Sequence, residues 1–138
     1  MRPLSECPIC RRGEPLDVLL DIGIAWVTAG PDAPLPDYVA VVAKHHVVEP
    51  FDLDPVEAHA FWDAAMAVAR RLLGASGARK MNYEIHGNTI PHLHLHLYPR
   101  YPGDPFEGRP IDGGSRSFHR DAVHLDRLRA ALLPLAAS

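Results

Sequence analysis

Long apolar runs are missing from this chain. None of its 138 residues belongs to an uninterrupted stretch near the roughly 20 residues that a bilayer-spanning helix needs, so no membrane partner is expected. An excess of positive charge is missing too. Fourteen Lys and Arg stand against 17 Asp and Glu, for a net charge of −3 with histidines neutral, which leaves no basic surface for nucleic acid and no polybasic stretch for anionic lipid. Cysteine is scarce: two residues cannot form a disulfide framework. The start, Met1-Arg2-Pro3-Leu4-Ser5, lacks the apolar core of a signal peptide, and a cytoplasmic protein is expected. With no internal repeat and no low-complexity tail, residues 1–138 are expected to form one domain, large enough for a single core.

Proline and histidine are abundant instead. The 14 prolines cluster at 31–36 and 99–110, where they mark loops. Between the loops the pattern is that of an α+β domain. Val18–Leu20, Ile24–Thr28, Tyr38–Ala43 and Lys80–His86 read as strands. Asp54-Pro55-Val56-Glu57 is a helix start, with an acidic N-cap, proline in the first turn and glutamate three residues after the cap. This helix is expected to run to Leu73 along a stripe of Val56, Ala60, Ala64, Val68 and Leu72, widened by Phe61 and Ala65, and to stop at Gly74. Gly87-Asn88 is expected to form a tight hairpin turn. A second helix is expected over Asp121–Leu133, ended by Pro134. The connection after Pro99 is long enough to cover a site or to order on binding.

Residues 92–96 read His92-Leu93-His94-Leu95-His96. Period-two alternation is strand geometry, placing the imidazoles on one face and Leu93, Leu95 and Leu97 in a core. Residues two apart on a strand lie about 6.6–7 Å apart and the outer pair roughly 13 Å, too far for one ion to hold all three without a sharp bend. The three rings therefore divide their roles. Cys7-Pro8-Ile9-Cys10 suits metal or redox chemistry. It precedes any credible strand, which disfavours a thioredoxin-like motif; a zinc site would need two further ligands, which the nine histidines can supply. Two unengaged thiols are the bland alternative.

The segment Gly87-Asn88-Thr89-Ile90-Pro91-His92-Leu93-His94-Leu95-His96-Leu97-Tyr98-Pro99-Arg100 resembles the signature of the histidine triad (HIT) family of nucleotide hydrolases and transferases, whose pattern is His-φ-His-φ-His-φ-φ with φ apolar. Val41-Val42-Ala43-Lys44-His45-His46-Val47 is similar to the family's Pro-Lys-x-His strand end, with Ala43 in place of proline. The pair Cys7 and Cys10 matches its zinc-bearing members.

The resemblance implies a HIT-like α+β fold: an antiparallel sheet of about five strands, a long central helix, an N-terminal zinc turn at 5–13, and a C-terminal loop and helix at 101–138. It implies His94 as the nucleophile that forms a nucleotidyl-enzyme intermediate, with His96 beside the phosphate. Asn88 and Thr89 match the family's phosphate-contacting pair, and Asn82 is a further candidate. The implied ligands of one structural zinc per chain are Cys7, Cys10, His46 and His92, with His45 as rival to His46; strand alternation lets only one of those two serve. The family's acidic ribose contact after the second strand is replaced by Ala29-Gly30, with Asp32 as a displaced candidate. His86, His119 and His124 are expected on the surface. The implied substrate is a small nucleotide carrying a phosphoanhydride or phosphoramidate, and the implied assembly a homodimer. Transfer to phosphate through the same intermediate, and a non-catalytic nucleotide-binding module, are the alternatives.

Overall fold

The computed structural model describes residues 6–138; Ser5, the first residue of the expected zinc turn, and the N-terminal run before it lie outside the described residues. A short helix α1 (Pro8–Arg12) is followed by β1 (Val18–Asp21), β2 (Ala25–Thr28), β3 (Asp32–Ala33) and β4 (Val39–Ala43). The long helix α2 (Pro55–Ser76), β5 (Lys80–Ile85), β6 (His94–Arg100), β7 (Phe118–His119) and α3 (Ala122–Leu132) complete the order. Five strands form one antiparallel sheet in the order β1-β2-β4-β6-β5, and β3 pairs with β7 in a separate two-stranded ribbon. The fold is thus α+β, with the five-stranded antiparallel sheet, long helix and C-terminal helix that the motif implied.

The β4–β6 pairing builds the site. Its register sets Val39 against Leu97, Ala40 against His96, Val41 against Leu95 and Val42 against His94. Paired residues share a face, so Val39, Val41, Leu95 and Leu97 enter the core beneath α2, while Ala40, Val42, His94 and His96 point to the other side. Leu93, Leu95 and Leu97 are all buried, as the alternation requires.

Four expectations need correcting. First, α2 continues through Gly74 to Ser76 and ends on Gly77 at φ 72°. An exposed glycine costs a helix only about 1 kcal/mol relative to alanine, so the helix runs through Gly74 and the left-handed stop falls at the later glycine. Second, the buried stripe of α2 is Phe61, Ala65, Val68, Ala69 and Leu72, while Val56 is 79% exposed. A strict i+4 series advances about 40° per step against the 3.6-residue turn, so five such positions drift around the helix rather than keeping to one face. Third, Gly87-Asn88 is not a two-residue hairpin turn: Ile85 pairs with Leu95, which leaves an eight-residue connection from His86 to Leu93. Fourth, His92 lies before β6, not on it. Its amide donates to the Ile90 carbonyl across a three-residue turn through Pro91, so the chain is still turning at His92 and joins the sheet only at His94, while the alternation persists, with Leu93 in the core and the His92 ring on the outer face.

The long connection after Pro99 is tied down. Arg100 grips both carboxylate oxygens of Asp104 and also donates to Asn82 Oδ1 and to the carbonyls of Phe106 and Arg109. Phe106 and Ile111 pack with Leu35 and Tyr98 in a small second core. The far end of the connection is anchored by Arg120, whose buried guanidinium donates to the carbonyls of Gly30, Pro36 and Tyr38.

Candidate functional site

Two neighbouring centres are built on the outer face of the sheet. The first gathers Cys7, Cys10, His46 and His92, whose ligand atoms all lie within 4.8 Å of one another. Cys7 caps the N-terminus of α1, and Cys10, one turn later, projects from the same side of that helix. Ile9 and Cys7 pack on Val42, which seats the helix against the sheet. His92 Nε2 donates to the Ala43 carbonyl at 2.6 Å, so its proton is on Nε2 and Nδ1 is bare. That bare Nδ1 lies 3.2 Å from His46 Nδ1 and 3.4 and 3.7 Å from Cys7 and Cys10 Sγ, with Cys10 Sγ 3.2 Å from His46 Nδ1.

Zinc bond lengths of about 2.0–2.1 Å to nitrogen and 2.3 Å to sulfur put tetrahedral ligand atoms roughly 3.3–3.8 Å apart, close to these separations. The bare His92 Nδ1 shares this buried pocket with a second imidazole nitrogen and two thiols, and that donor set suits a soft divalent cation. The cluster is therefore a zinc-competent Cys₂His₂ set. Burial pushes the Cys10 thiol up to about 11, with Cys7 adding to the shift, and holds the His92 imidazole below its ordinary value. His46 wins over His45, which is exposed and bonded to Glu57 at 2.6 Å.

The second centre is a cleft of about 850 Å³ on the same face, within the size range of small-molecule sites. His94, His96, Asn88 and Thr89 all line it. His94 Nδ1 donates to the His92 carbonyl at 2.6 Å, so its Nε2 is bare. His96 Nδ1 meets the Tyr38 hydroxyl at 2.7 Å, and the rings of His94 and His96 lie 4.7 Å apart edge to face. Burial first, then the neighbouring His94 and His86, lowers the His96 pKa to about 4, so this ring is neutral near pH 7. Asn82 is brought elsewhere: it lines a neighbouring cleft of about 790 Å³ and is held by Arg100.

Sequence reasoning missed several lining residues. Tyr38 precedes Ala40 and Val42 at period two and so shares the outer face, a signal the sequence did carry. His86, expected only on the surface, is exposed but also lines the cleft, 5.6 Å from the His96 ring. Gly113, Gly114 and Arg116 reach the cleft from the long connection, and only the tertiary fold puts them there. Asp32 stands at the rim, bonded to His119, and Asp17 joins it there. His124, expected on the surface, is instead half-buried against Asp37, whose other partner is the Tyr101 hydroxyl.

Across residues 24–103 the sequence matches the HIT domain family, a span that includes the two cleft histidines and both metal-set histidines. The chain belongs to the HIT domain family. Proteins of this family are generally of nucleotide-binding or hydrolase type. Among solved structures, this HIT protein is similar to a histidine triad protein from Bradyrhizobium japonicum at 27% identity and TM-score 0.77, covering 87% of this chain and 90% of that one. A histidine triad protein from Marinobacter aquaeolei VT8 matches at 26% identity and TM-score 0.74, with 86% of each chain covered. A zinc-bound HIT family protein from Mycobacterium smegmatis shares the fold at 23% identity and TM-score 0.69, covering 96% of this chain and 97% of that one. No curated protein matches the chain.

Proposed function

We propose that this protein is a zinc-containing nucleotide hydrolase that cleaves a phosphoanhydride or phosphoramidate through a nucleotidyl-His94 intermediate. The observation that carries the reading is the His94 ring itself: its Nδ1 proton is engaged by the His92 carbonyl, leaving Nε2 as a bare nucleophile in the cleft.

In the first step His94 Nε2 attacks the α-phosphorus. A phosphorus–nitrogen bond forms, and the bond to the leaving group breaks with its electron pair departing on that group. Water then attacks the same phosphorus, releasing the nucleoside monophosphate and restoring His94. His96, neutral, donates a hydrogen bond to a phosphate oxygen, and Asn88 and Thr89 supply further donors aimed at the developing charge. Asn82, anchored at Arg100, would have to act from the adjoining cleft. Asp32 is the candidate for the ribose hydroxyls.

A zinc ion held by Cys7, Cys10, His46 and His92 would have no open position for substrate, so its contribution is structural. The metal set fixes residue 92, whose carbonyl orients the His94 ring. A homodimer through α2 and β5 is part of the same reading. β5 is a sheet edge, its Tyr83 and Ile85 are about half exposed, and so is Trp62 on α2.

Purified protein is tested with diadenosine polyphosphates and adenosine phosphoramidate before and after His94→Ala. Turnover should vanish. Hydrolysis that survives the substitution refutes the mechanism.

A further inference from the structure

The two cleft imidazoles face opposite demands at their Nδ1 atoms. His94 Nδ1 meets a carbonyl oxygen, which can only accept, so the proton sits on Nδ1. His96 Nδ1 meets the hydroxyl of Tyr38, which can donate or accept. Its other polar neighbour among the described residues is the Tyr98 hydroxyl, which acts as donor to it, since that contact lowers the Tyr38 pKa and raises that of Tyr98. With Tyr98 donating to it, a Tyr38 hydroxyl that also accepted from His96 Nδ1–H would have no acceptor for its own proton against the Tyr98 ring, which stacks on Tyr38 at 4.5 Å and 13°. If it donates, both groups are satisfied. His96 Nδ1 is then bare and the ring proton is on Nε2.

Both partners are in the protonation state this bond requires. Burial pushes the Tyr38 phenol up to about 12 and lowers His96 to about 4, so phenol and imidazole are both neutral across the ordinary pH range. The bond is also held rigidly, since Tyr38, His96 and Tyr98 form a continuous stack with interplanar angles of 13–21°. The hydrogen bonds of the His94 and His96 rings among the described residues run through Nδ1, and both residues line the cleft.

We infer that Tyr38 is a positioning residue that locks His96 in the tautomer opposite to that of His94, so that the cleft presents a bare imidazole nitrogen and an imidazole N–H side by side. The two locks differ in kind. His94 is held by a main-chain acceptor that no substitution at residue 92 removes, whereas His96 depends on one side-chain donor. The catalytic consequence rests on the hydrolase reading above; the tautomer pair itself does not. A bare nitrogen beside an N–H can attack phosphorus and steady a phosphate oxygen without any prior proton transfer.

The experiment uses the purified protein with histidine labelled by ¹⁵N. Long-range proton–nitrogen spectra of the unaltered protein should show the His94 proton on Nδ1 and the His96 proton on Nε2. In Tyr38→Phe, which keeps the ring and its stack, the His96 signals should move to an exchanging mixture of tautomers. For hydrolysis, kcat should drop about tenfold with KM unchanged, the equivalent of about 1.4 kcal/mol. The same substitution in a His96→Ala background should change kcat by less than about twofold, because Tyr38 acts through His96.

A His96 proton found on Nδ1 in the unaltered protein overturns the inference without any variant. So does an unmoved tautomer in Tyr38→Phe. An equal loss of kcat in both backgrounds would make Tyr38 merely structural. Because the spectra need no turnover, failure of the hydrolase reading, seen as activity surviving His94→Ala, is distinguishable from failure of the tautomer lock.

Discussion

Lowering the pH should unfold this protein partly through His96. The ring is buried against Tyr38 and Tyr98 and sits beside His94 and His86, which together take its pKa from the ordinary 6.5 to about 4. The folded state therefore favours the neutral ring, and between pH 6.5 and 4 the unfolded chain binds a proton that the folded one does not. Stability from this residue is complete above pH 6.5 and is lost as pH falls toward 4. A difference of about 2.5 units corresponds to about 3 kcal/mol at full effect. The assay is urea denaturation at half-unit steps from pH 7.5 to 4, run on the unaltered protein and on His96→Gln. Other acid-sensitive groups, the metal set included, act in both proteins and cancel in the difference. The gap between the two stability curves should shrink by about 3 kcal/mol across that window. A constant gap, or a His96 ring that titrates near 6.5 by NMR, would refute the account of its burial.

Elemental analysis should find about one zinc per chain, and Cys7→Ser with Cys10→Ser should remove it and lower the melting temperature; zinc retained by that variant would sink the ligand assignment. Arg120→Lys should cost about 3 kcal/mol in urea denaturation, because an ammonium cannot span three carbonyls on two segments as the guanidinium fork does. A loss below about 1 kcal/mol would show that those carbonyls find other donors. Light scattering at micromolar concentration should report a dimer, and Ile85→Lys on the exposed sheet edge should shift it to monomer; a monomer from the outset would remove the assembly.

Local patterns made much of the site readable. The Leu93, Leu95, Leu97 alternation identified a strand with one buried face, and the Cys7/Cys10 spacing pointed to a pair of thiols that one helical turn brings into a zinc-competent set. Asp54-Pro55 fixed the start of α2, because capping is decided by adjacent residues. The end of that helix is not written locally: Gly74 and Gly77 are chemically alike, and the left-handed stop falls at the second of them. Gly87-Asn88 shows the same limit of local chemistry. Either residue tolerates a tight turn, but pairing of Ile85 with Leu95 leaves the chain no tight turn to make there.

By itself the sequence determined the α+β class and the two-faced histidine strand, and through its resemblance to a family it pointed to Cys7, Cys10, His46 and His92 as a metal-competent set and to His94 as the ring to watch, since each is written in short-range spacing or in a motif. Only the tertiary structure decided which partner the Nδ1 of His94 and of His96 meets, that His92 leaves the strand, and that Tyr38, His86 and Arg116 join the cleft. Those outcomes depend on what lies across the β4–β6 register and at the end of a long connection. Partners brought together by pairing distant strands have no trace in the spacing of neighbouring residues.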